Sequence, residues 1–213
     1  MSGEKSRSGA AAHAPVSLRE RKKQLTYQAV SDAAIAMFLE RGFDKVSVAE
    51  VAAAADISKP TLFRYFPAKE DLALHRFADH EDEAARTVAG RADGESPLDA
   101  LHRHFLTGLT DRDPVTGLCD VPHVLAFHRL LYGTPALVAR LYAYQGRSEA
   151  SLARALGGGV TARLAAGQIV AVLRILAEEN WRRIDAGESA EQVYPGAVEA
   201  AELAFVQLRS GLE

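Results

Sequence analysis

The chain has one cysteine, Cys119, so no disulfide can form within it, and the fold must be held by its core. That usage fits a reducing compartment, and the expected location is the cytoplasm. No uninterrupted apolar run approaches the roughly 18 residues that span a bilayer. Met1 to Pro15 lacks the apolar stretch of a secretory signal. No segment of useful length alternates apolar and polar residues, which excludes an extensive sheet. There is no internal repeat and no glycine-rich nucleotide-binding loop, and no order of Ser, His, Asp or Cys argues for catalysis, so neither an enzyme nor a cofactor is expected. Strong basic charge is missing too. The net charge is −3, so any nucleic-acid contact must come from a local basic surface.

What remains is helical material. Apolar residues make up 48% of the 213 and charged residues 25%, an ordinary balance for a packed domain. Residues 1–72 hold 11 Lys/Arg against 9 Asp/Glu, a net of +2; residues 73–213 hold 14 against 19, a net of −5. Residues 1–17, rich in Ser, Gly, Ala and His, read as a disordered tail. From Leu18 to Arg41, apolar residues recur at three- and four-residue steps, and Gly42 stops the pattern. Ser47 with Glu50 makes a capping box for a short second helix. Asp56-Ile57 breaks that helix, and Ser58 caps a third, Lys59 to Tyr65, with Pro60 early enough to cost no hydrogen bond. A fourth helix is expected from Pro67 to Ala89. Further helices are expected over 97–110, 119–132, 135–156, 161–186 and 190–209. The fold is therefore all-α with about nine helices, divided into a tail (1–17), an N-terminal unit (18–66) and a larger C-terminal domain (67–213).

Two short helices joined by a tight turn, the second with a polar N-terminus, form a helix-turn-helix. Asp56 falls where the turn needs a left-handed residue, which Asp tolerates better than most. Ile57, Leu62 and Phe66 anchor the unit, leaving Lys59, Pro60, Thr61 and Arg64 to face outward. The run Gly42-Phe43, Ser47-Val48, Val51-Ala52, Ala55, Ile57-Ser58, Thr61-Leu62-Phe63, Tyr65-Phe66, Lys69 and Leu72 resembles the N-terminal pattern of the tetracycline-repressor (TetR) family. The likeness covers Arg21 to Leu72, about a quarter of the chain. Asp56 stands where that pattern usually has glycine, and Phe63 where it commonly has tyrosine.

The resemblance implies a DNA-binding transcriptional regulator, most often a repressor, that binds a palindromic operator as a homodimer and responds to a small organic effector. By motif position, Lys59, Pro60, Thr61 and Arg64 approach base edges. Ser47, Ser58, Tyr65 and Lys69 are the remaining DNA-facing candidates, held against phosphates directly or through helix N-termini. The basic cluster Arg19, Arg21, Lys22, Lys23 adds flanking contacts or is simply a solvated helix start. The other readings of the chain are a helical protein-interaction adaptor or a ligand carrier without operator binding.

In the C-terminal domain, aromatic and polar residues mix on inward faces, as in a small-molecule pocket or an ordinary core. The candidate ligand residues are His102, Phe105, Phe127, His128, Tyr142, Asn180 and Trp181. His102 and His104 are two apart and His123 and His128 five apart, poor chelating steps, so no metal is expected. Cys119 reads as a packing residue at a helix start. The last two helices present Leu164, Gln168, Ile169, Val172 and Ile175, then Val198, Ala201, Glu202, Phe205 and Leu208. Small residues between them permit the close approach of an intersubunit four-helix bundle. Completion of the subunit's own core is the competing assignment for these faces.

Overall fold

The computed structural model describes residues 18–212, and their regular structure is entirely helical. The expected tail, 1–17, lies outside them. The helices are α1 (Leu18–Arg41), α2 (Val48–Ala54), α3 (Lys59–Tyr65), α4 (Lys69–His80), α5 (Glu83–Ala89) and α6 (Pro97–Thr110). After a single 3-10 turn (Pro114–Thr116) come α7 (Pro122–Gly133), α8 (Pro135–Ala155), α9 (Gly159–Asp185) and α10 (Ala190–Leu212).

The punctuation is where sequence chemistry puts it. Gly42 ends α1 at φ +89, its N–H on the Phe38 carbonyl at 2.9 Å. In the capping box, the Glu50 N–H donates to Ser47 Oγ and the Ser47 N–H to Glu50 Oε2 at 2.8 Å. These bonds from Ser47, with Arg41 at 2.7 Å, hold the exposed Glu50 carboxyl down at about 2. Asp56 takes φ +52, the left-handed turn expected of it. Val30, Ala34 and Phe38 of α1 are buried with Val51, Leu62 and Phe66, and the Ser31 hydroxyl, also buried, donates to the Leu72 carbonyl at 2.8 Å.

Two boundaries depart from expectation. The fourth helix is not continuous: α4 and α5 are separated at Glu81-Asp82. Nearby acids there are drawn to different partners, Glu81 to Arg147 of α8 at 2.8 Å and Glu83 to His104 of α6 at 3.1 Å. Together with the poor helix propensity of Asp, these tertiary ion pairs outweigh local periodicity. The helix expected from Cys119 begins instead at Pro122, because proline has no N–H to lose at a first helical position and biases the residue before it towards an extended conformation. Cys119 is buried in the segment leading to it, beside Leu118. That segment is clamped to α9. Gly117 (φ +72) lies so close that a Cβ there would sit 1.9 Å from the Ala177 carbonyl oxygen.

In the body, α8 packs on α4, α5 and α9, while α10 packs on α6 and α9. Ile169, Ala201, Phe205 and Leu208 are buried in the subunit's own core, so the inward face of α10 is not the surface left for a partner. On these two last helices the exposed large apolar residues are Leu203 and Val206 of α10, with Val160, Leu164 and Ile175 of α9. Taken as a window that tolerates a few polar residues, α9 is long and apolar enough by composition to cross a bilayer, at a mean hydropathy of 1.6.

Candidate nucleic-acid interface and ligand cavities

The outer edge of α3 is built from the Ser58 cap. Ser58 Oγ accepts the Thr61 N–H at 3.3 Å and shares a hydrogen bond of 2.9 Å with Thr61 Oγ1. The cap fixes the first turn, and with Leu62 wholly buried beneath it, Lys59, Pro60, Phe63 and Arg64 stand exposed on the other side. Thr61 is half-buried between them. Neither Lys59 nor Arg64 has a carboxylate partner among the described residues. Lys59 Nζ lies 5.9 Å from the Phe63 ring and the Arg64 guanidinium 5.4 Å from the Tyr65 ring. Two unpaired cations on one short helix face are what base-edge and phosphate acceptors require. Phe63 is an exposed apolar group at the same edge, where the sequence pattern offered no polar contact.

The other DNA-facing candidates are arranged differently. Ser47 is exposed, with its hydroxyl engaged in the capping box. Tyr65 is half-buried against Tyr27, ring centroids 4.9 Å apart. Lys69 is turned inward: its Nζ donates to the Phe43 carbonyl at 2.5 Å and lies 4.2 Å from the Phe43 ring. Lys69 thus ties α4 to the α1–α2 corner instead of presenting a free ammonium, a long-range contact that motif position does not show. Arg19–Lys23 fall in the first turns of α1.

The body contains a half-open chamber of 210 Å3 lined by residues of α4 to α9. Of the seven expected ligand residues only Phe105 lines it, beside Phe77, Tyr132, Leu173 and the cluster His80–Glu83–His104. Glu83 accepts from both imidazoles, at 2.7 Å and 3.1 Å, and those bonds, His104 first, hold its carboxyl at about 2. The same contact raises His104. Burial pushes the Tyr132 and Tyr144 hydroxyls up to about 12, so both stay neutral hydrogen-bonding groups at the chamber wall. The sequence signal for Glu83 was thin: a His and a Glu three apart on a helix, with the second His twenty-one residues on.

Phe127 and His128 line a different cavity, of 340 Å3, between α1 and α7. His128 is buried, which lowers its pKa to about 4 and keeps it neutral; its Nδ1 has no protein partner. The remaining four candidates line neither cavity. His102 stacks on Phe205 at 4.5 Å, with Nε2 3.3 Å from the Glu202 carboxylate. Tyr142 is exposed, its ring 5.7 Å from the Arg174 guanidinium. Asn180 donates to the Thr116 carbonyl at 2.9 Å and so helps clamp the loop against α9. Trp181 backs the chamber wall from behind Tyr132, at 4.6 Å. His102, Asn180 and Trp181 lie on inward faces, but of different pairs of helices, and Tyr142 faces outward. His80 and His104 share Glu83, but no group of three or more His, Cys, Asp or Glu side chains is placed to hold a metal ion among the described residues.

Residues 30–75 match the family described as bacterial regulatory proteins, tetR family. The chain is 30% identical over 139 residues to the HTH-type transcriptional regulator TcmR of Streptomyces glaucescens, covering 64% of this chain and 61% of that protein. The chain is similar to TetR-family regulators, and its helix-turn-helix segment matches that family directly. The TcmR match leaves more than a third of that regulator's length unspanned. Two solved structures share the fold at low identity. NalD of Pseudomonas aeruginosa, the secondary repressor of the MexAB-OprM multidrug efflux pump, superposes with a TM-score of 0.54 at 18% identity, over 85% of this chain and 97% of NalD. A SmeT–triclosan complex superposes with a TM-score of 0.56 at 15% identity, over 88% and 91%. The family is one of transcriptional regulators, not enzymes. Within its N-terminal pattern, this chain keeps the capped third helix and departs at Asp56, which adopts the turn conformation without glycine, and at Phe63.

Proposed function

We propose that the protein is a ligand-responsive DNA-binding transcriptional regulator of the cytoplasm, a repressor by default, that holds a palindromic operator as a homodimer and is released by a small organic effector. The observation that carries this reading is the outer edge of α3: Lys59, Pro60, Thr61 and Arg64, rigidly capped and free of acidic partners. Lys59 and Arg64 donate to guanine O6 and N7 or to phosphate, and the Thr61 and Pro60 carbons meet thymine methyls. Ser47, Ser58 and Tyr65 flank the duplex backbone. The exposed apolar residues of α9 and α10 supply the subunit contact, which is also the simplest use for an apolar α9. Two copies related by a two-fold axis set their third helices for successive major grooves, about 34–36 Å apart. The chamber beside Phe105 receives the effector; its aromatic walls give apolar burial worth roughly 25 cal/mol per Å2, and the His80–Glu83–His104 cluster orients a polar group. NalD is a repressor and SmeT is bound to an organic compound, which agrees with both halves of the proposal.

The test is selection of bound sequences from a random duplex pool, followed by light scattering of the free protein at micromolar concentration. A recovered palindrome and a dimeric mass are expected. Recovery of no sequence above the unselected pool would leave an adaptor or carrier, and a monomer would remove the two-fold geometry.

A further inference from the structure

The 340 Å3 cavity between α1 and α7 is distinct from the chamber in the body. The two share Phe77, His80, Asp113 and Val115 as a partition. On the far side of that partition the apolar walls are Ile35 and Leu39 of α1 and Val124 and Phe127 of α7, with Phe127 stacked 6.1 Å from Phe77. Exposed Leu39 and His123 mark its open side.

Its charge is one-sided. Among the described residues, Asp113 is the only Asp, Glu, Lys or Arg in the lining. Its Oδ1 accepts the Val115 N–H at 3.0 Å; no Lys or Arg pairs with it among the described residues, and the basic group it acts on is His104, whose protonated form it favours. The neighbouring cation is turned away. Arg112, at φ +56, donates to the Ala190 carbonyl at 2.8 Å and lies over the Tyr194 ring. The other polar groups are His80, already bonded to Glu83, exposed His123, buried His128, and Gln28, which donates to Asp32. A carboxylate with no Lys or Arg partner among the described residues, beside aromatic faces, favours a cation twice, by charge-assisted hydrogen bonding and by cation–π attraction. An anion would meet repulsion and find no Lys or Arg among the described lining residues. A dry cavity of about 150 Å3 holds a benzene, so this volume has room for a fused aromatic pair carrying an amine.

We propose that this cavity is a second effector site, which takes an aromatic ammonium compound with its N–H groups on Asp113 and its rings against Phe127, and that the occupant acts on DNA binding by pressing on α1 directly. Ile35 and Leu39 lie on the cavity side of α1, whereas Val30, Ala34 and Phe38 of the same helix are locked into the core with α2 and α3. Packed cores move as units, so a wedge at Ile35 carries α3 with it. The binding half stands alone; the coupling half rests on the DNA-binding reading above.

The experiment is calorimetry at pH 7 with three probes of one shape: 1-naphthylmethylamine, 1-naphthalenemethanol and 1-naphthoate. The amine should bind at least tenfold tighter than the alcohol, and the naphthoate should not bind. Asp113→Asn, which keeps the cap on Val115, should bring the amine down to the alcohol. Leu39→Trp should fill the cavity and abolish amine binding, while Val170→Phe, in the body chamber, should leave it intact. Equal binding of naphthoate, indifference to Asp113→Asn, or loss on Val170→Phe with retention on Leu39→Trp would overturn the site. Operator affinity is then read by anisotropy, and a tenfold change is expected with the amine or with Leu39→Trp alone. No change in either, in a protein that does bind its operator, would overturn the coupling. Absence of any operator binding would sink the DNA-binding reading and leave the outcome of the calorimetry unaffected.

Discussion

The molecule has two cores, and they differ in what they join. The first gathers Val30, Phe38, Val51, Leu62, Phe66 and Leu72 from the N-terminal helices, but also Leu131, Leu137, Leu141 and Tyr144 from the end of α7 and the first half of α8. At its seam Arg140 makes a two-pronged pair with buried Asp71, at 2.7 and 2.8 Å. The Tyr144 hydroxyl adds a third bond at 3.2 Å, and Asp71 also accepts the Ala68 N–H. The second core joins α5, α6, α9 and α10 around Phe105, Leu109, Ile169, Ile184 and Phe205. It leaves an apolar outer face on α9 and α10. The helix-turn-helix is therefore not a head on a loose neck. Its core continues into α7 and α8, the helices that border the two cavities, whereas the second core is built to hold a subunit together and to offer a surface.

The sharpest way to break this division is Phe205→Ala. The side chain is fully buried, and truncation should cost the subunit about 3–5 kcal/mol in chemical denaturation. The exposed neighbour Leu203→Asp should cost the fold less than about 0.5 kcal/mol yet abolish dimers in light scattering. A Phe205→Ala protein that keeps wild-type stability would mean that this face of α10 packs outward, against a second subunit.

Next in size is the seam. Asp71→Ala removes a charge that is 4% exposed and strands Arg140, which keeps about a third of its surface in water. The expected loss is about 2–3 kcal/mol. A double-mutant cycle with Arg140→Ala should return a coupling above roughly 1 kcal/mol; additive effects would show that the ion pair does not join the two parts.

Acid separates the cavities. His128 is held at about 4 in the fold, against about 6.5 when unfolded. The unfolded chain therefore binds the extra proton, and stability falls as pH drops from about 6.5 to 4, by up to about 3 kcal/mol. Glu83, held at about 2, works lower down: its contribution is complete above about 4.5 and is lost as pH falls towards 2. Urea midpoints across pH should show His128→Leu flattening the upper window only and Glu83→Gln the lower one; a flat wild-type profile from pH 6.5 to 4 would place His128 in contact with water.

How much of this was legible in the sequence depends on distance along the chain. Ser47, Glu50, Asp56, Ser58 and Pro60 act within three or four residues, so the helix-turn-helix and its exposed edge could be read directly. Lys69 could not, because its partner, Phe43, is twenty-six residues away. The α4–α5 break depends on Arg147 and His104, and the two cavities on which inward face meets which; Phe105, Phe127 and Asn180 all point inward yet meet different helices. Periodicity gives the direction of a side chain relative to its own helix, not the identity of its neighbours.

Lys59 and Lys69 give the smallest effect on the fold and the most direct test of the central claim that the outer edge of α3 reads DNA. The measurement is anisotropy on the selected duplex and on a scrambled one, over a salt series, with thermal melting of each variant. Lys59→Ala should leave the melting temperature unchanged and reduce the preference for the selected duplex about tenfold, the cost of one lost base contact of about 1–3 kcal/mol. Lys69→Ala should lower stability by about 1 kcal/mol through the lost bond to Phe43 and keep the preference. A Lys59→Ala protein with undiminished preference, or a wild-type protein that binds both duplexes alike at every salt concentration, would contradict the account.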